Sequence, residues 1–212
     1  LDTETTGVNV YNLAKDNPTL SRCVEISISW EDNEAYCIFT GMEYIQSMSA
    51  EYVFKRLAEI FTEERDDIKV TWDNGIRTEV FSRDRFHLVG QNFPFDRRVS
   101  KVEGGELWFD DDTLNMGFNV DPRVVRGNVK LKNMTRRVFH HETPELTDVL
   151  GKGNEAMYRL LEDEEVAIIY AGADADYPRL LWFYLKKLLG EKMYHMYNKQ
   201  DVRMLNILAD SE

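Results

Sequence analysis

Apolar and polar residues alternate from Cys23 to Trp30, which puts Val24, Ile26, Ile28 and Trp30 on one face of a predicted strand. Glu31-Asp32-Asn33 turns the chain into a second strand over 34–40, antiparallel to the first. After Ser49 the period changes: Val53, Phe54, Leu57, Ile60 and Phe61 recur at helical spacing, Ser49 can cap the helix, and Glu63-Glu64-Arg65-Asp66-Asp67 ends it. An apolar face of this kind predicts a helix packed on the sheet. Residues 68–81 read as a small inserted β-hairpin, with Asn74-Gly75 supplying the two positive-φ positions of a tight turn.

Phe86-His87-Leu88-Val89 predicts a short strand that breaks at Gly90 and leads into a helix from about Phe93 to Val102. A further strand is expected at 107–109. Thr143-Pro144-Glu145 has the cap, proline and acid of a helix start. Residues 155–188 are expected to be largely helical, through Met157, Leu160, Leu161, Val166 and Ile169, and the segment from Glu191 helical again. Strands followed by helices interleaved with single strands predict an α/β domain with a mixed sheet flanked by helices.

Composition narrows the classes. The chain has 212 residues and 24.8 kDa, 43% of them hydrophobic, enough for one compact domain with a core and against disorder. No apolar run approaches the ~20 residues of a membrane span, so no membrane partner is expected. The net charge of -12 should repel nucleic acid over the bulk surface, so any contact with DNA must be local. A turn centred near Asp32 pairs Cys37 with a residue near Ser27 and not with Cys23, which predicts free thiols and a reducing compartment, the cytoplasm or, for a viral chain, the host cell. Leu1 is not a start methionine, and the first motif begins at residue 2, as expected of an excised piece.

The candidate chemistry starts in that first motif. Asp2 and Glu4 in Leu1-Asp2-Thr3-Glu4-Thr5-Thr6-Gly7 stand at i and i+2, so on a strand both carboxylates project from one face. Two like charges that close call for a cation. A second segment, Leu88-Val89-Gly90-Gln91-Asn92-Phe93-Pro94-Phe95-Asp96, ends in another acid at the start of a helix. Two later segments have the form Y-x3-D, Tyr170 to Asp174 and Tyr197 to Asp201, and either spacing puts both side chains on one helix face. Should these acids converge, their repulsion calls for divalent cations with oxygen ligands, Mg²⁺ or Mn²⁺.

Asp-Thr-Glu-Thr-Thr-Gly resembles the opening motif of the DEDD 3′ to 5′ exonucleases, and the segment ending at Asp96 resembles their second motif. The third is decided by its flanks: Gly151-Lys152-Gly153, Tyr170-Ala-Gly-Ala-Asp174-Ala-Asp176 and Arg179-Leu180 are similar to the proofreading domain of family A DNA polymerases, the bacterial DNA polymerase I group. Asp112-Thr113 matches a further step of that family. The resemblance implies a ribonuclease H-like fold over 1–190. It also implies that 191–212, with Tyr197 and Asp201, begin a linker helix towards a polymerase domain. It further implies removal of nucleotides from single-stranded DNA 3′ ends. In that scheme Asp2 bridges two metals spaced roughly 3.5 to 4 Å apart, Glu4 and Asp174 complete the nucleophile side, Asp96 serves the other metal, and Tyr170 orients the attacking water. Thr3, Val8, Gln91 and Asn92 would meet the terminal nucleotide, although Gln91 and Asn92 could instead cap the following helix.

Two departures stand out. The stretch 62–84 is longer than the family's, and Pro178 removes the amide that would bond the carbonyl of Asp174, so the helix is expected to kink there or a new one to begin. From Pro122 to His141 there are six basic residues, Arg123, Arg126, Lys130, Lys132, Arg136 and Arg137, and no acid. This strip is either a phosphate contact for a single strand, with Arg136 and Arg137 at its end, or a solvated loop. Two rival functions share these features, a free-standing ribonuclease D-like exonuclease and an exonuclease fold retained as a silent structural module.

Overall fold

A computed structural model describes residues 1–6, 21–40, 47–62, 68–70, 79–81, 87–121, 129–142 and 163–211. Three strands, β1 (Asp2–Thr5), β2 (Cys23–Glu31) and β3 (Glu34–Phe39), form an antiparallel sheet in that order. Asp2 stands opposite Ser27 and Glu4 opposite Glu25, while Ser27 also faces Cys37 on the far side. The cysteines are therefore apart, as the turn position predicts, and both thiols are free. Strict alternation gives this sheet two unlike faces. Ile26, Ile28 and Ile38 join Val53, Phe54 and Leu57 of α1 (Ala50–Thr62) in the first core, with Leu1, Phe93, Leu107 and Phe109. Ser49 caps α1 as expected, its hydroxyl accepting from the Tyr52 amide at 3.3 Å.

The polar face of the sheet is covered by one long helix, α5 (Glu164–Tyr197), which begins at an Asp163 cap. Asp176 docks it: its carboxylate accepts from Ser29 Oγ at 2.8 Å and the Asn33 amide at 3.3 Å, and Arg179 pairs with Asp32 across the β2–β3 turn. These ties hold α5 through Pro178. No new helix begins there, contrary to one expectation, and the one departure from helical dihedrals lies at Gly190, at φ 68° and ψ 166°. Losing a single amide costs less than the tertiary contacts that fix this helix on both sides of the proline. Gly190 alone can take that conformation without Cβ strain. Beyond it, Tyr194 returns to the body, where its phenol and the Trp182 indole both donate to buried Asp111 at 2.6 Å, joining the two halves of α5.

Elsewhere, β4 (Ile68–Val70) and β5 (Glu79–Phe81) pair antiparallel as the predicted hairpin; its Asn74-Gly75 turn lies outside the described residues. So do Val8, Phe86, Arg123, Arg126, the 143–145 helix start, Gly151-Lys152-Gly153 and residues 155–162. β6 (Val89–Gly90) runs parallel to β7 (Asp111–Asp112), and the Leu1 nitrogen donates to the Val89 carbonyl at 2.8 Å, fastening β1 beside β6. A Cβ at Gly90 would meet Phe93 Cβ at 2.9 Å and the Phe109 ring at 3.0 Å, so the strand-to-helix turn closes only around a glycine.

The strand expected at 107–109 is absent, and the ladder forms two residues later. Buried Asn206 explains this, because its side chain accepts from the Phe109 amide at 3.3 Å and donates to the Phe109 carbonyl at 2.9 Å, doing for one residue what a neighbouring strand would do. α2 (Pro94–Val102) follows β6; α3 (Thr113–Val120), α4 (Leu131–Phe139) and the middle of α5 enclose a second core of Met116, Val129, Met134, Leu181 and Leu185. A π-helical turn, Asn198–Val202, leads into α6 (Arg203–Ser211), which packs on α2 through an Arg97–Asp210 ion pair at 2.8 Å. The fold is thus mixed α/β, and no helix among the described residues is long and apolar enough to cross a membrane.

Candidate metal centre

β1 delivers Asp2 and Glu4 to the polar face of the sheet, and α5 lays Asp174 over them. Ligand oxygens of these three carboxylates lie within 4.8 Å of one another, and all three residues are half-buried. Among the described residues no other group of three or more acids, histidines or cysteines converges in this way. The donor set is oxygen only, which suits hard divalent cations such as Mg²⁺ or Mn²⁺.

Asp96 takes a neighbouring place. It lies in the first turn of α2, fully buried, and Thr3 donates its hydroxyl to Asp96 Oδ1 at 2.6 Å. Alternation along β1 explains the pair, since Thr3 points away from Asp2 and Glu4 towards α2. The Thr3 hydroxyl is thereby engaged inside the protein. Tyr170 stands one turn before Asp174 on α5, with its phenol beside that carboxylate.

Crowding of the acids shows in their proton affinities. Burial, then the charges of Asp96, Glu4 and Asp174, hold Asp2 well above the usual carboxylate range. Burial, then Asp174 and Glu25, push Glu4 up to about 8. Burial raises Asp96 to about 7 against the bond from Thr3. Tyr170 is also raised, by burial and then by Asp174 and Glu4, so it remains a phenol and a hydrogen-bond donor. A bound cation offsets both the burial and the mutual repulsion of these carboxylates, and the oxygen-only donor set fits one.

Of the other expected site residues, Gln91 donates to the Val129 carbonyl at 3.0 Å and receives the Thr113 hydroxyl, so both ends of its amide bind the protein. Asn92 is exposed in the left-handed region at φ 62°. Neither side chain caps α2; Asp112 accepts the amides of Asn92 and Phe93 and also caps α3. Arg136 and Arg137 are exposed in the last turn of α4, Arg136 near Glu142 at 3.5 Å and Arg137 reaching the Asn133 carbonyl at 3.4 Å. Tyr197 is buried and bonded through its hydroxyl to the Asp112 amide at 2.7 Å, and Asp201 accepts from Asn119 at 2.8 Å.

Among the described members of the basic strip, Lys132 stands beside Tyr170 at the site. Its ammonium sits 4.6 Å from the centre of the Tyr170 ring, and its charge works against the rise at Glu4. The sequence signals the strip but not which of its members faces the acids, because that depends on how α4 packs against α5. No protein-family model matches this chain, and no curated protein matches it.

Proposed function

We propose that this chain is a metal-dependent 3′ to 5′ exonuclease domain of ribonuclease H-like fold, acting on single-stranded DNA ends as the proofreading part of a family A DNA polymerase. One observation carries the reading: Asp2, Glu4 and Asp174, singled out by motifs some 170 residues apart, bring their oxygens within 4.8 Å of one another. The polymerase domain of the same parent chain is the proposed partner, reached through the segment beyond Gly190.

Two divalent cations held by Asp2, Glu4, Asp174 and Asp96 would supply Lewis-acid activation of water and neutralise charge developing on phosphorus. The protein's own groups do the rest. Asp2 and Glu4 are fixed by the β1–β2 register, and Asp174 by the Asp176 dock one half-turn along α5. Thr3 holds Asp96 in one orientation. Tyr170, kept protonated, can orient a water by donating to or accepting from it, but it cannot act as a base near neutral pH. Lys132 adds a positive charge beside Tyr170, where a phosphodiester must approach past three carboxylates.

The test is calorimetric titration with MnCl₂, paired with hydrolysis of the p-nitrophenyl ester of thymidine 5′-phosphate. Wild type should bind Mn²⁺ and release nitrophenol, and Asp2→Asn and Asp174→Asn should lose both. Binding unchanged in these two variants would overturn the assignment.

A further inference from the structure

Glu25 has no part in the scheme so far, and among the described residues it alone has two buried side-chain oxygens without a hydrogen-bond partner. Its side chain is 2% exposed, and neither carboxylate oxygen has a hydrogen-bond partner. A buried carboxyl left unpartnered costs roughly 1–3 kcal/mol even when neutral and more when charged. It stands directly opposite Glu4 in the antiparallel β1–β2 pair, on the same face of the sheet, where opposed Cβ atoms are about 4.5–5.5 Å apart. Its charge is among those that disfavour ionisation of Glu4. The thiol of Cys37 on β3 lies near Glu25 but donates to the Ile168 carbonyl at 3.8 Å.

Glu25 does not join the three acids whose oxygens converge, so it stands behind Glu4 and does not share its ligand position. Hard divalent cations dehydrate reluctantly and keep several waters, each of which needs an acceptor. We propose that Glu25 is a fifth carboxylate of the cation centre, a positioning residue whose two unpartnered oxygens accept hydrogen bonds from the hydration water of a divalent cation held by Glu4 and Asp174. Cation binding then gives Glu25 the partners it lacks, which accounts for a buried acid where an apolar residue would pack at lower cost. The inference rests on the proposed function and extends the site by a residue that no motif marks.

Glu25→Gln and Glu25→Leu, compared with wild type, separate the possibilities. The readouts are MnCl₂ titration by calorimetry and thermal unfolding in EDTA. Both variants should unfold no lower than wild type in EDTA, leucine because it removes the unpartnered polar group and glutamine because its amide, though still without partners, cannot ionise beside Glu4. Both should bind Mn²⁺ with 10- to 100-fold lower affinity, the usual effect of removing an outer acceptor at a metal site. Should the leucine variant fail to fold, the near-isosteric glutamine variant carries the comparison alone. Mn²⁺ affinity equal to wild type in a folded variant overturns the role of Glu25 while leaving the metal centre standing. A wild type that binds no Mn²⁺ overturns the metal centre and this inference together.

Discussion

Replacing Glu4 by glutamine should make the metal-free protein more stable, although it damages the site. Folded Glu4 holds its proton up to about pH 8, whereas its ordinary value is 4.5. Between those values the folded state binds a proton that the unfolded chain has lost, so stability falls as pH rises. Each pH unit of that interval costs up to about 1.4 kcal/mol, giving on the order of 3 kcal/mol between pH 5 and pH 8. Glutamine keeps the shape and cannot ionise, so the variant escapes this loss. Urea unfolding in EDTA at the two pH values should show the gap between Glu4→Gln and wild type widening in favour of the variant as pH rises. Mn²⁺ at pH 8 should then restore wild type and leave the variant unmoved. A gap that stays constant from pH 5 to pH 8, or one that favours wild type in EDTA, would refute the reasoning.

Other substitutions divide the site from its frame. Tyr170→Phe should leave Mn²⁺ affinity intact and slow cleavage by roughly 10- to 1000-fold, since only the orientation of water is lost. Tyr197→Phe should leave cleavage intact and cost about 1–3 kcal/mol in urea unfolding, because the Asp112 amide loses its partner; the reverse pattern in these two variants would mean that the third motif is misassigned. Asn206→Ala should destabilise by several kcal/mol, as it orphans both backbone groups of Phe109 in a buried segment. If Arg136 and Arg137 both meet phosphates, their joint replacement by alanine should flatten the slope of log affinity against log salt by about 1.4; an unchanged slope assigns them to solvent.

What the sequence could not carry depended on distant partners. The alternation of 23–30, the helical spacing after Ser49 and the turn into α2 after Gly90 are local signals, and the structure follows them, although the strand expected at 86–89 is formed only by Val89 and Gly90, with 87–88 outside it. Residues 107–109 looked like a strand because Leu107 and Phe109 alternate, yet their backbone is satisfied by a side chain 97 residues away. Pro178 looked like a break because its local cost is real, while the docking of Asp176 and Arg179 on the β2–β3 turn is invisible to a local pattern. Asp2, Glu4 and Asp174 were legible because motifs preserve residue type and spacing together. Glu25 and Lys132 were not, since one needs the strand register and the other the packing of α4 on α5. Gln91 reads as a substrate contact in the motif, but the structure uses its amide to tie β6 to Thr113 and Val129.

The central claim is most directly tested with single-stranded DNA labelled at its 5′ end, incubated with the protein and Mg²⁺. A ladder shortening stepwise from the 3′ end, abolished by EDTA and by Asp2→Ala, is the predicted result. Intact DNA in Mg²⁺ and in Mn²⁺ alike, or a ladder that survives Asp2→Ala at a rate within tenfold of wild type, would contradict it.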